Sequence, residues 1–64
     1  MRLILPDRTE RVITTGPAPL ACLLLIEGIN PVGVIALRDG ALIPEDTLVR
    51  DDDVIRLIRI AHGG

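Results

Sequence analysis

The chain contains no phenylalanine, tyrosine or tryptophan, and no lysine. Without aromatic rings it has nothing on which to stack bases, which argues against most single-strand nucleic-acid modules. Its formal charge of −2, with seven scattered arginines as the only strongly basic residues, also disfavours an electrostatic grip on phosphate. The single cysteine, Cys22, excludes an internal disulfide, and the single histidine, His62, leaves no Cys or His pair at the spacing of a zinc site. A cysteine without a partner fits a reducing compartment. The opening Met1-Arg2-Leu3-Ile4-Leu5-Pro6-Asp7 is too short an apolar stretch for a signal peptide. No segment approaches the run of about 20 apolar residues that crosses a bilayer. These features predict a soluble, cytoplasmic protein that binds no metal and contacts neither membrane nor nucleic acid directly.

What the chain does have is aliphatic residues. Of its 64 residues 48% are hydrophobic, so one small domain held by Leu, Ile and Val packing is expected. Leu3-Ile4-Leu5 and Arg11-Val12-Ile13-Thr14 read as two strands, with Pro6 and Asp7 supplying the turn between them. After Gly16-Pro17-Ala18 a helix is predicted, with Pro19 at its first position and residues 20–27 as its body. Gly28 stops it, with Ile29 placed to make the hydrophobic contact of a Schellman-type cap. That helix is apolar on every face, more than one side of a sheet requires. Residues 32–38 read as a strand, Asp39-Gly40 as a hairpin turn and Ala41-Leu42-Ile43 as the returning strand. Two turns follow, at Pro44-Glu45-Asp46-Thr47 and Asp51-Asp52-Asp53, before a last strand over 54–60. Alternation in that strand assigns Ile55 and Leu57 to the core and Arg56 and Ile58 to the opposite face. The order strand, strand, helix, strand, strand, strand implies an α+β fold, a mixed four- to five-stranded sheet with one helix packed on one face.

The most informative feature is Gly63-Gly64, placed directly after the last strand. Two terminal glycines do little for a folded domain, since glycine loses the most conformational freedom on ordering. They make chemical sense if the Gly64 carboxylate is itself the reactive group. Without Cβ atoms such a tail threads a narrow channel, and its carbonyl carbon stays open to attack. The absence of lysine has a simple explanation in composition bias. It also leaves an activated C-terminal acyl group no ε-amine on its own chain to react with.

This element order resembles that of the ThiS/MoaD sulfur carrier proteins, ubiquitin-like proteins with the β-grasp fold. The residues that carry the resemblance are Val34-Ile35-Ala36-Leu37-Arg38-Asp39-Gly40, then Asp51-Asp52-Asp53 before a strand, then Gly63-Gly64. The resemblance covers essentially the whole chain, and the length is closer to the thiamine-type and tRNA-thiolation carriers than to the molybdopterin type. It implies a β-grasp domain over residues 1–60 and a flexible diglycine tail over 61–64. It further implies that Gly64 is adenylated by an E1-like adenylyltransferase and converted to a thiocarboxylate, with Gly63 entering the enzyme beside it. The sulfur would pass to a synthase, for thiamine thiazole first, or for tRNA thiolation or molybdopterin. Such a protein is a carrier and co-substrate, not an enzyme. It binds no cofactor itself, because ATP and Mg²⁺ belong to the partner, and it is a monomer when free. Asp52 stands where the family usually has glycine, which costs the turn some freedom.

Two other functions share these features. A ubiquitin-like modifier would pass the same activated Gly64 to lysines of target proteins, and a non-carrier β-grasp interaction module would have no use for a free terminus. For the partner interface the sequence nominates Arg56 and Ile58, because Ile58 is a large aliphatic residue on a face with no second layer. His62 reads as an exposed tail residue, Cys22 as a small buried hydrophobe, and Asp51-Asp52-Asp53 as a solvated turn.

Overall fold

In the computed structural model, which describes residues 1–60, the last strand is the centre of the sheet. The elements in chain order are β1 (Arg2–Ile4), β2 (Glu10–Val12), β3 (Ala18–Pro19), α1 (Leu20–Ile26), a 3-10 turn (Pro31–Gly33), β4 (Val34–Arg38), β5 (Ala41–Ile43), β6 (Leu48–Val49) and β7 (Val54–Arg59). Five of the strands form one mixed sheet in the order β2-β1-β7-β4-β5, and β3 and β6 form a separate two-stranded pair. β7 runs parallel to β1 and antiparallel to β4. The fold is therefore α+β, with one helix against a mixed five-stranded sheet, as the element order predicts. No helix among the described residues is long and apolar enough to cross a membrane. The diglycine, His62 and the expected flexible tail at 61–64 lie outside the described residues.

The core is a layer of aliphatic side chains between α1 and one face of the sheet. Leu3, Ala36, Ile55 and Leu57 come from the sheet, and Leu20, Leu23 and Leu24 from the helix, with Met1 and Val49 closing the ends. Ile55 and Leu57 are 0% and 1% exposed, so alternation assigns them correctly. The helix buries positions i, i+3 and i+4 and leaves its other side open, with Leu25 and Ile26 63% and 77% exposed. Cys22 belongs to that outer side and is exposed. The expectation of a buried cysteine is corrected: a helix of seven residues offers one stripe to the sheet, and position 22 falls off it.

Local chemistry explains the ends of the elements. The β4–β5 hairpin turns on Asp39 and Gly40, both at positive φ (54° and 78°), the pattern of a type I′ turn. Gly28, at φ 76°, ends α1 with the bonds of a Schellman motif. Its N–H donates to the Leu25 carbonyl at 3.0 Å, and the Ile29 N–H to that of Leu24 at 2.8 Å. At the other end Pro19 is extended (φ −61°, ψ 136°), so it precedes the helix and does not begin it. The first helical N–H groups are satisfied from a distant loop: Leu20 donates to the Thr47 carbonyl (3.0 Å) and Ala21 to that of Glu45 (2.8 Å). The strand expected from residue 32 begins at Val34. Asn30 accepts a hydrogen bond from the Val32 N–H (3.0 Å), and Pro31 starts the 3-10 turn that takes the intervening residues.

Truncation on the two faces of β7 should have opposite consequences. Leu57→Ala is expected to cost about 2–5 kcal/mol, comparable to the about 3–5 kcal/mol that a core of this size supplies, and to leave the domain largely unfolded. Ile58→Ala on the same strand should cost less than about 1 kcal/mol. Urea unfolding followed by far-ultraviolet circular dichroism checks both, and equal losses would contradict the two-faced assignment.

Candidate functional site

Among the described residues, no second layer covers the face of the sheet away from α1. Register identifies its members, because directly paired residues project to the same side. Ile35 is opposite Ile58 and Leu37 opposite Arg56 across the β4–β7 pair, while Leu42 is opposite Leu37 across β4–β5. On the other flank Ile4 is beside Arg56 and Arg2 beside Val54. Arg56 and Ile58, the two residues nominated from sequence, thus sit near the middle of a surface that β1, β7, β4 and β5 build together.

That surface is aliphatic around Arg56. Val54 and Ile58 are each 43% exposed and Leu42 is 65% exposed, while Ile4, Ile35 and Leu37 are half-buried. Isolated exposed aliphatics are ordinary on a protein surface, but a contiguous patch across neighbouring strands is the mark of an interaction face. Sequence reasoning finds Ile58 and misses Ile4, Ile35, Leu37 and Leu42. In β4 the run Val34-Ile35-Ala36-Leu37 is apolar throughout, so alternation alone does not say which residues face out. The register with β7 does.

β7 leads from this face toward the diglycine. The Ile60 N–H donates to the Gly33 carbonyl at 3.1 Å, which fixes the chain at the last described position. Gly63 and Gly64, the residues expected to carry the chemistry, lie beyond it and outside the described residues.

The acidic turn is at the opposite end of β7 and is tied into the domain. Asp53 Oδ2 accepts from the Arg50 N–H (2.9 Å) and lies 3.3 Å from Arg38 Nη1. Asp51 Oδ1 accepts from the Thr15 N–H (3.1 Å) and lies 3.4 Å from the Met1 ammonium. The hydrogen bond from Thr15, then that from the ammonium, hold the Asp51 carboxyl below its ordinary range. Asp51 and Asp53 therefore do more than the solvated turn expected of them, and Asp52 alone is exposed without such a contact. Asp52 is not among the non-glycine residues at positive φ, which among the described residues are Arg8 and Asp39. Its backbone needs no glycine, and the expected loss of turn freedom does not arise.

No protein-family model matches the chain, and no curated protein matches it in sequence.

Because the folded-state pKa of Asp51 is depressed, its contribution to stability is complete above the unfolded carboxylate range. It disappears as pH falls through the folded value. Asp51→Asn should therefore lower the urea midpoint at neutral pH, and the difference from wild type should shrink below about pH 4. A difference that stays constant through the acid range would contradict a charge-based role.

Proposed function

We propose that this chain is a β-grasp sulfur carrier whose Gly64 carboxylate is activated by an E1-like adenylyltransferase. The observation that carries the reading is the conjunction of an uncovered aliphatic sheet face centred on β7 with a diglycine a few residues beyond the end of that strand. The face supplies a place for the enzyme to grip the body. From Ile60 to Gly64 the five residues reach at most about 17 Å when extended, enough to enter a buried site while the body docks outside. Gly63 supplies the slim neighbour that such a channel needs.

The chemistry follows from the poor reactivity of a carboxylate. Its carbon is a weak electrophile and oxide is a poor leaving group, so activation must come first. In the partner's site a Gly64 carboxylate oxygen attacks the α-phosphorus of ATP, and pyrophosphate leaves. Sulfide then adds to the acyl carbon, the bond to the adenylate oxygen breaks, and AMP departs to leave the thiocarboxylate. A persulfide donor reaches the same product once a thiol cleaves the resulting S–S bond. This chain contributes the carboxylate and the docking face, and the adenylyltransferase contributes the catalytic groups, ATP and Mg²⁺. A sulfur-accepting synthase completes the cycle, with thiamine thiazole formation the first pathway to test. The carrier works in the cytoplasm, as a monomer between partners.

Intact-mass spectrometry tests the reading directly. The full chain, incubated with an E1-like adenylyltransferase, ATP and a sulfur source, should gain the mass of one sulfur in exchange for one oxygen. Deletion of Gly64 should abolish the gain. Lysine-linked conjugates in cells, with no thiocarboxylate formed, would instead assign the chain to protein modification. Undiminished function of a chain extended beyond Gly64 would assign it to an interaction module.

A further inference from the structure

Seven arginines supply all the strongly basic side chains of the chain, and they fall into two groups. Arg2, Arg11 and Arg38 have carboxylate partners in Glu10, Glu27 and Asp53. Arg8, Arg50, Arg56 and Arg59 have none among the described residues. Three of those four, Arg8, Arg56 and Arg59, line a single groove of about 460 Å³ together with Ile4, Pro6 and Ile58. The groove lies between the β1–β2 turn and the end of β7.

Two further features single it out. Arg8 holds its place from a backbone φ of 70°, a left-handed conformation that suits glycine and strains arginine. A residue kept at such a position against local preference is a candidate for a role outside the fold. The two ends of β7 also differ in charge. Asp53 directly precedes the strand, and Asp39 is in the hairpin that the antiparallel β4 carries to the same end, where Arg2 and Arg38 also lie. The chain is net negative, yet at the other end of β7 the charged residues that line the groove are all arginines, Arg8, Arg56 and Arg59.

The geometry points to this groove as the seat of an acidic segment on the activating enzyme, in which Asp or Glu carboxylates flank an aliphatic side chain. This inference rests on the carrier reading and names the partner chemistry of its docking face. Arg8 and Arg56 offer forked donors to carboxylates, Ile4 and Ile58 take the aliphatic group between them, and Arg59, on the α1 side of β7 by alternation, adds positive charge to the groove's lining. A nucleic acid would find no ring to stack on and would meet a net negative body. A lone phosphate would leave the apolar floor uncovered. An acidic, aliphatic protein segment satisfies both halves of the groove.

The experiment is ATP–pyrophosphate exchange by the E1-like adenylyltransferase with the full chain as acceptor, measured as KM and kcat for the chain at rising NaCl. For wild type, KM should climb with salt as the ion pairs are screened. Arg8→Gly combined with Arg56→Glu and Arg59→Glu should raise KM at least about tenfold at low salt and flatten its salt dependence, with kcat little changed. Arg50→Glu, an unpaired arginine outside the groove, should leave both constants near wild type. Arg8→Gly alone should raise KM while also raising the urea midpoint, a pairing that a purely structural arginine would not produce. Single Arg56→Glu and Arg59→Glu variants should give partial increases, and they keep the test decisive if the combined variant does not fold. A wild-type KM that ignores salt, or a combined variant that exchanges at the wild-type KM, would overturn the groove assignment and leave the carrier reading intact. No exchange with wild type at any chain concentration would overturn the carrier reading, and this partner with it.

Discussion

Everything in this small domain depends on β7 being paired on both edges and different on its two faces. It pairs with β1 on one side and β4 on the other, so it joins the N-terminal hairpin to the β4–β5 hairpin. On one face Ile55 and Leu57 are fully buried against α1. On the other face no described residue lies above Arg56 and Ile58, because a single seven-residue helix covers only one side of a five-stranded sheet. Apolar side chains there gain little from folding. The same alternation that builds the core thus builds the open face proposed for docking.

With no aromatic residue, the core is a thin aliphatic layer, and the margin is narrow for a domain of this length. Backbone hydrogen bonds at the element ends consequently matter more than in a larger protein. The loop at 44–47 gives its carbonyls to the first turn of α1, and Gly28 closes the last turn. Asp51 and Asp53 secure the turn into β7 by binding N–H groups at Thr15 and Arg50. These contacts hold the start of β7 in place, while the arginines that line the groove at its other end make no ion pair among the described residues.

Much of this was legible in the residues. Asp39-Gly40 marked the hairpin, Gly28 with Ile29 marked the helix end, and the alternation of β7 separated core from surface. Each of those signals is local: a backbone angle that glycine permits, or a period of two. What the sequence did not reveal depends on distant partners. β3 and β6 are two residues each and exist because Ala18 meets Val49 and Pro19 meets Leu48. Met1 is buried because its carbonyl accepts from the Ile13 N–H, which draws the first residue under the sheet. Cys22 and Leu25 were indistinguishable from their neighbours in an all-apolar helix until the sheet chose a side. For the candidate site, Arg56 and Ile58 were legible from one strand, whereas Ile35, Leu37 and Leu42 required the pairing register. Gly63 and Gly64 stand on chemical reasoning from the sequence.

Amide hydrogen exchange, read residue by residue on the chain alone and with an E1-like adenylyltransferase bound, tests whether the open face of the β7 sheet is the docking surface. New protection should appear in β7, in β4 and in the turn joining β1 to β2, while the outer side of α1 at Cys22, Leu25 and Ile26 exchanges as before. Protection concentrated on α1, with β7 and β4 unchanged, would contradict the central claim that this protein meets its partner through the uncovered face of its last strand.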